Sequence, residues 1–366
     1  MEFTIHHQVL LTVFGLAVIM GGIANKTNFC TMGAVSDWVN MGDTGRMRSW
    51  LLAVAVALLG VTILEATGKA LIGTATFPPY RTANFAWLRY ILGGLMFGVG
   101  MTLASGCGNK TLVRIGGGNL KSLVVLFIAA AAAYAMLWTN FYDSVFGGMV
   151  SATTINLGAR GIASQSLGDL TGIGNTIAGA VVALAIIGYA FASSDFRSNR
   201  DNVLSAIVIG LIIVAGWYVT GGEMGARWKE FAEFADTKPL RVETQSYTFI
   251  SAMGDAARYA MSPTDFSLVN FGIVALAGVV LGSLVWALLS GNFRFEWFAS
   301  GGDFVNHAIG AVLMGIGGVL AMGCTVGQAI TGVSTLALGS ILAFMAIVGG
   351  AAATMKFQYW QMMKDA

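Results

Sequence analysis

Long apolar runs separated by short polar segments dominate the chain. Nine runs approach or exceed the length of a membrane-crossing helix, at roughly 8–24, 49–67, 86–105, 120–139, 172–192, 202–220, 268–290, 304–322 and 335–354. About 20 apolar residues suffice for one crossing. The stretches after residues 107 and 324 are too polar and too short to cross again, and they predict short re-entrant helices. Irregular backbone at membrane depth survives only inside protein or beside a cavity. The expected fold is therefore an all-α polytopic membrane protein of about nine transmembrane helices plus re-entrant helices.

Composition agrees. Apolar residues make up 56% of the 366, charged residues 10%, and the mean hydropathy is +0.74; soluble domains carry about 25% charged residues. The net charge of +2 is uninformative about nucleic acid, but no basic stripe is present, so the lipid bilayer rather than nucleic acid is the expected partner. The N-terminal residues lack a basic region, so no cleavable signal is expected. Basic residues set the orientation. With the N-terminus outside, eleven Lys and Arg fall in inner segments and four in short outer loops. That predicts a periplasmic N-terminus and a cytoplasmic C-terminus.

The chain also repeats itself. Gly98, Gly100, Ala104, Gly106 and Cys107 match Gly315, Gly317, Ala321, Gly323 and Cys324 at a constant offset of 217. A weaker match joins Gly15–Gly21 to Gly210–Gly216. An odd number of crossings separates the members of each pair, so the halves should be inverted, a transporter architecture. We expect one transport domain over 1–366, with a first repeat at 1–140, a linking span at 172–192 and an inverted second repeat at 202–366. The counterpart of Cys30 then falls near Gly221–Gly225, where no cysteine stands. The connection at 221–267 carries Glu223, Arg227, Lys229, Glu230, Glu233 and Asp236, and suits two short helices on the membrane surface.

Cys30, Cys107 and Cys324 are the only cysteines, and each follows an apolar run. An odd count argues against a disulfide framework. Zinc spacings are absent, and His6, His7 and His307 are distant in sequence, so no metal or cofactor is expected. Gly106, Gly108 and Gly323 permit close backbone approach to a ligand. Asn109, Lys110, Thr111, Thr325 and Gln328 add polar groups, and Arg114 adds charge. Helix starts at the cysteines would aim N–H groups at an anion. A sulfur-bearing oxyanion suits this set: its oxygens take N–H and O–H donors, and its exposed sulfur faces a neutral thiol. An unperturbed thiol titrates near about 8.5 and is mostly neutral at pH 7. Glu65 is expected to be a snorkelling or paired carboxylate, with a proton relay as the alternative, and His307 an interface residue.

The segments Ser105–Asn109, Gly116–Ser122, Asn28-Phe29-Cys30 and Gly323–Gln328 resemble the YeeE/YedE sulfur-transport family over nearly the whole chain. The resemblance implies an hourglass-shaped bacterial inner-membrane protein whose characterised branch takes up thiosulfate. It implies passage of that ion beside three cysteines, here Cys30, Cys107 and Cys324. It also implies a small soluble partner related to TusA-type sulfur carriers. The expected activity is transport by transient S–H···S contacts rather than catalysis. The alternatives are carriage of another sulfur or selenium species such as selenite or sulfite, a membrane sulfurtransferase holding a cysteine persulfide, and a structural subunit of a larger complex.

Overall fold

The computed structural model describes residues 3–235 and 237–365; Asp236, one of the polar residues expected in the 221–267 connection, lies outside the described residues. The long helices are α1 (Ile5–Lys26), α3 (Gly45–Ala66), α4 (Trp87–Leu103), α6 (Leu120–Trp138), α9 (Asn175–Phe191), α11 (Arg200–Gly221), α14 (Phe271–Leu289), α15 (Gly301–Leu320) and α16 (Leu338–Asp365). Between them lie α2 (Thr31–Ser36), α5 (Gly108–Gly116), α7 (Gly148–Ala152), α8 (Leu167–Thr171), α10 (Ser194–Ser198), α12 (Glu223–Phe234) and α13 (Ile250–Met261). A π-helical run, Val326–Gly332, follows Cys324.

All nine apolar runs are helical, and among the described residues eight helices are long and apolar enough to cross a membrane. The protein is thus a multi-pass membrane protein. The run expected at 172–192 is the shorter α9, with 17 residues; at 1.5 Å per residue it spans about 26 Å.

Chain direction alternates, so the connections gather on two faces. The first face holds Lys26 near Asp201 (3.7 Å) and Lys121 near Asp303 (3.1 Å). On the opposite face Arg81 pairs with Glu65 and Arg241 with Asp255, each at 2.5 Å. Glu65 is therefore the paired carboxylate that was expected. Two small ladders tie loops of this second face together. β1 (Thr76–Phe77) runs parallel to β4 (Thr244–Gln245), and β2 (Asn84–Ala86) runs antiparallel to β3 (Thr154–Asn156).

Helix α1 lies along α14, α3 along α11, α6 along α15 and α16 along α4, while α4 also packs on α15. Small residues permit these approaches. Gly21 and Gly282 stand where a Cβ would collide with the backbone carbonyls of Val279 and Val18. The 221–267 connection departs from a pair of surface helices. Its α12 sits against α1 and α11, whereas Ile250–Asp255 of α13 are buried, because α6, α14 and α15 pack around that helix.

Three helix breaks share one device. Asn28, Ser105 and Met322 adopt left-handed backbone (φ 53°, 56° and 65°), each two residues before a cysteine. The next N–H returns to the carbonyl five residues back: Phe29 to Ala24 (3.2 Å), Gly106 to Met101 (2.9 Å) and Gly323 to Gly318 (2.7 Å). This 6→1 bond is the Schellman closure, which satisfies carbonyls orphaned at a helix end. A cysteine then starts the next turn each time.

Gly21→Leu and Gly282→Leu are each expected to lower the unfolding temperature of the detergent-solubilised protein sharply. Overpacking costs about 1–3 kcal/mol, and a backbone carbonyl cannot rotate away as a side chain can. Gly15→Leu, which meets open space, should leave the melt unchanged.

Candidate functional site

Cys30 and Cys107 occupy the N-caps of α2 and α5, in extended backbone. The Cys30 sulfur accepts from the Gly33 N–H at 3.5 Å, and the Cys324 sulfur accepts from the Gly327 N–H at the same distance. Both thiols thus cap the third residue of a Cys-Thr turn. The Phe29 ring stacks on Trp50 at 4.6 Å, which pins the segment entering Cys30.

Tertiary folding brings the three segments together in a row. The Cys107 side chain neighbours Cys30 on one side and Thr325 on the other. Gly108 completes the junction with Cys324. A Cβ at position 108 would lie 3.9 Å from the Cys324 Cβ, 3.9 Å from the Phe249 Cβ and 3.5 Å from the Met253 Cε. These are ordinary van der Waals distances, so the two segments pack directly against each other at this point. Cys30 and Cys107 belong to segments that enter from the first face, and Cys324 to one that enters from the second. The order between faces is Cys324, Cys107, Cys30. The row is sealed: Cys107 and Cys324 are fully buried and Cys30 is 4% exposed.

The other expected residues divide. Lys110 turns toward the Cys30 segment, its Nζ donating to the Asn28 Oδ1 at 3.1 Å. Arg114 Nη1 donates to the Ser105 carbonyl at 2.6 Å and holds the break between α4 and α5. Thr111 spends its hydroxyl on the Cys107 carbonyl (3.1 Å), so it presents no free proton to the row. Gln328 donates through Nε2 to the Ala321 carbonyl, and Gly106 and Gly323 form the Schellman turns. His307 closes on Asp303 at 3.0 Å near the first face, away from the thiols.

Buried polar atoms are nearly always hydrogen-bonded. Among the described residues nine buried side-chain atoms lack a partner, and four of them belong to the cysteine segments: Thr31 Oγ1, Asn109 Oδ1, Thr325 Oγ1 and Gln328 Oε1. Each orphan costs about 1–3 kcal/mol. Their clustering beside the thiols gives the row free donors and acceptors at depth. A polar ligand with both hard and soft atoms would engage the hydroxyls and thiols together.

Sequence reasoning missed Thr31, although the Cys-Thr pair recurs at 324–325. It also missed Arg46, which pairs with Asp37 and lies against Gly33, one turn from Cys30. Met253 carries no comparable signal, since nothing local distinguishes it from a core methionine.

Broken helices meeting at membrane depth around a sealed polar row define a polytopic membrane transporter. The match described as sulphur transport covers residues 26–353, and the chain belongs to that family. It is similar to the thiosulfate transporter TsuA of Spirochaeta thermophila, 26% identical over 279 residues, 71% of this chain and 74% of that protein. It is also similar to the thiosulfate transporter TsuA of Escherichia coli, 23% identical over 340 residues, 88% and 86% of the two chains. The protein is a sulfur transporter and not an enzyme.

Because the thiols are sealed, an impermeant maleimide applied from either side is expected to leave all three unmodified in the folded protein. Mass spectrometry should find three modified cysteines only after denaturation. Rapid labelling of Cys107 in the native protein would contradict the sealed row.

Proposed function

We propose that the protein takes up thiosulfate across the bacterial inner membrane, from the second face to the first. The ion meets Cys324, then Cys107, then Cys30. At each station the terminal sulfur accepts a weak S–H hydrogen bond, while hydroxyl and backbone N–H groups donate to its oxygens. The observation that carries this reading is the row of three neighbouring thiols lined by buried, unpartnered polar atoms. The names of both relatives support thiosulfate as the cargo. Weak, repeated contacts suit transit, since a conducting site must release what it binds. The first turn of α5 adds its amide dipoles, which favour an anion.

The first face is cytoplasmic in this reading, because Lys26, Arg46, Arg48, Lys121, Arg197 and Arg200 gather on its connections. The N-terminus is then periplasmic and the C-terminus cytoplasmic. A small TusA-like sulfur carrier would receive the ion there, a partner for which the family resemblance is the support. The chain forms one transport domain of two inverted halves, 1–140 and 202–366, joined by the span at 172–192. Reciprocal packing supports the halves: α3 lies on α11 as α14 lies on α1, and α16 lies on α4 as α15 lies on α6. In this pairing α13 corresponds to α2, and Phe249 stands in the place of Cys30. That differs from the counterpart expected near Gly221–Gly225, because α12 and β4 are inserted ahead of the equivalent helix.

Vesicles containing only this protein are expected to accumulate radiolabelled thiosulfate. Cys107→Ala should reduce uptake to the level of empty vesicles while leaving the melt near that of the wild type. Wild-type uptake by that variant would overturn the relay. Unlabelled selenite and sulfite should compete poorly.

A further inference from the structure

Two polar side chains outside the cysteine segments converge on Cys324 from the second face. Tyr80 lies in the connection between α3 and α4, and Thr248 in the connection between α12 and α13. A short parallel ladder ties these two connections together. Thr76 pairs with Thr244 and Phe77 with Gln245. The ladder thus fastens the two connections side by side three residues before Tyr80 and Thr248. The two hydroxyls neighbour each other, and Tyr80 is within electrostatic reach of Cys324. Thr248 Oγ1 lies directly against Gly327, whose N–H caps the Cys324 sulfur.

Both hydroxyls are orphans. Among the described residues neither Tyr80 OH nor Thr248 Oγ1 makes a hydrogen bond of normal geometry, and the only polar side chain that each approaches is the other, although Tyr80 is 2% and Thr248 6% exposed. Loose packing does not explain this, since the flanking groups are fully engaged. Arg81 donates to the Thr335 carbonyl (2.8 Å), the Ile72 carbonyl (2.6 Å) and both Glu65 oxygens. Ser246 Oγ donates to the Ile213 carbonyl (2.8 Å), and the Tyr247 hydroxyl to the Val13 carbonyl (2.9 Å). Thr331 Oγ1 donates to the Tyr247 carbonyl at 2.7 Å. Two loops are thus fastened on every side, and between them two donors are left open beside a thiol. Burial, and then the nearby Cys324, hold the Tyr80 phenol well above its ordinary pKa, so it remains a protonated donor.

Thr248 faces outward as well. It lines a small cavity of about 10 Å³ with Phe77, Arg241, Gln245 and Asp255. That is about the volume one water needs. Arg241 is bound to Asp255 through Nε at 2.5 Å and Nη2 at 2.9 Å, so the pair lining this cavity is neutral overall.

We propose that Tyr80 and Thr248 form an outer subsite for the oxygens of a sulfur oxyanion, filled immediately before its terminal sulfur reaches Cys324. The subsite rests on the transport reading above and adds residues to it. Hydroxyls take the hard end of the ion and the thiol takes the soft end, so the pair orients the cargo sulfur-first into the row.

The test uses full-length protein in vesicles, with the initial rate of radiolabelled thiosulfate uptake measured against concentration. Tyr80→Phe and Thr248→Val each delete one hydroxyl and keep the shape. Each is expected to raise KM about ten-fold, the worth of one hydrogen bond to an anion. Unfolding temperatures should match or exceed that of the wild type, because an unpartnered buried hydroxyl only destabilises the fold. Thr248→Ser should restore KM. An unchanged KM in both variants, in a preparation where Cys107→Ala abolishes uptake, overturns the subsite and leaves the thiol row standing. Lost uptake with a lowered unfolding temperature also overturns it, by assigning the hydroxyls to the fold. Uptake that survives Cys107→Ala brings down the transport reading and the subsite with it.

Discussion

Backbone hydrogen bonding at membrane depth is the constraint on which everything else here depends. A helix that stops inside the bilayer exposes carbonyls that no water can reach, each at a cost of several kcal/mol. The chain solves this three times in one way. A left-handed residue turns the backbone, the following N–H closes on the carbonyl five residues back, and a cysteine begins the next turn. Two of the three left-handed residues, Ser105 and Met322, stand in the matched segments after α4 and α15. Left-handed backbone in such side chains is costly, and the surrounding helices hold it. The cysteines therefore sit where the fold has already terminated a helix without using their side chains.

Around this frame polar groups are divided into two classes. Those that fasten the loops and breaks are satisfied: Arg114 on Ser105, Arg81 on Glu65 and Thr335, Arg241 on Asp255, and Asn25 through Ser283 to Val113. Those facing the thiols, Thr31, Asn109, Thr325 and Gln328 Oε1, are open. The rigid class makes the open class tolerable, because the frame cannot collapse to pair the orphans with one another. A sulfur is the right companion for such a row. It is a weak hydrogen-bonding atom, so three in succession can hold a soft anion without trapping it.

Much of the architecture could be read along the chain, because its signals are local. The apolar runs became helices, the two polar stretches after Cys107 and Cys324 became short helical segments, and the pairing of Glu65 held. The departures share a cause. Thr111 is spent on its own helix carbonyl, since a threonine one turn after a helix start can bond backward. The first half of α13 is buried although its composition reads as a surface helix, because three long helices close around it. Tyr80 and Thr248 lie in irregular connections with no periodicity to mark them, and a two-residue ladder ties those connections together.

Hydropathy, basic-residue bias and the internal glycine-cysteine match are properties of residues near each other in sequence, so the sequence by itself determined the membrane class, the number of apolar helices and the identity of the three thiols. The order Cys324, Cys107, Cys30, the sealing of the row and its unpartnered hydroxyls were decided only by tertiary structure. Each depends on which helix ends meet across more than 70 residues of chain, and that is set by small-residue packing and backbone satisfaction summed over the whole bundle.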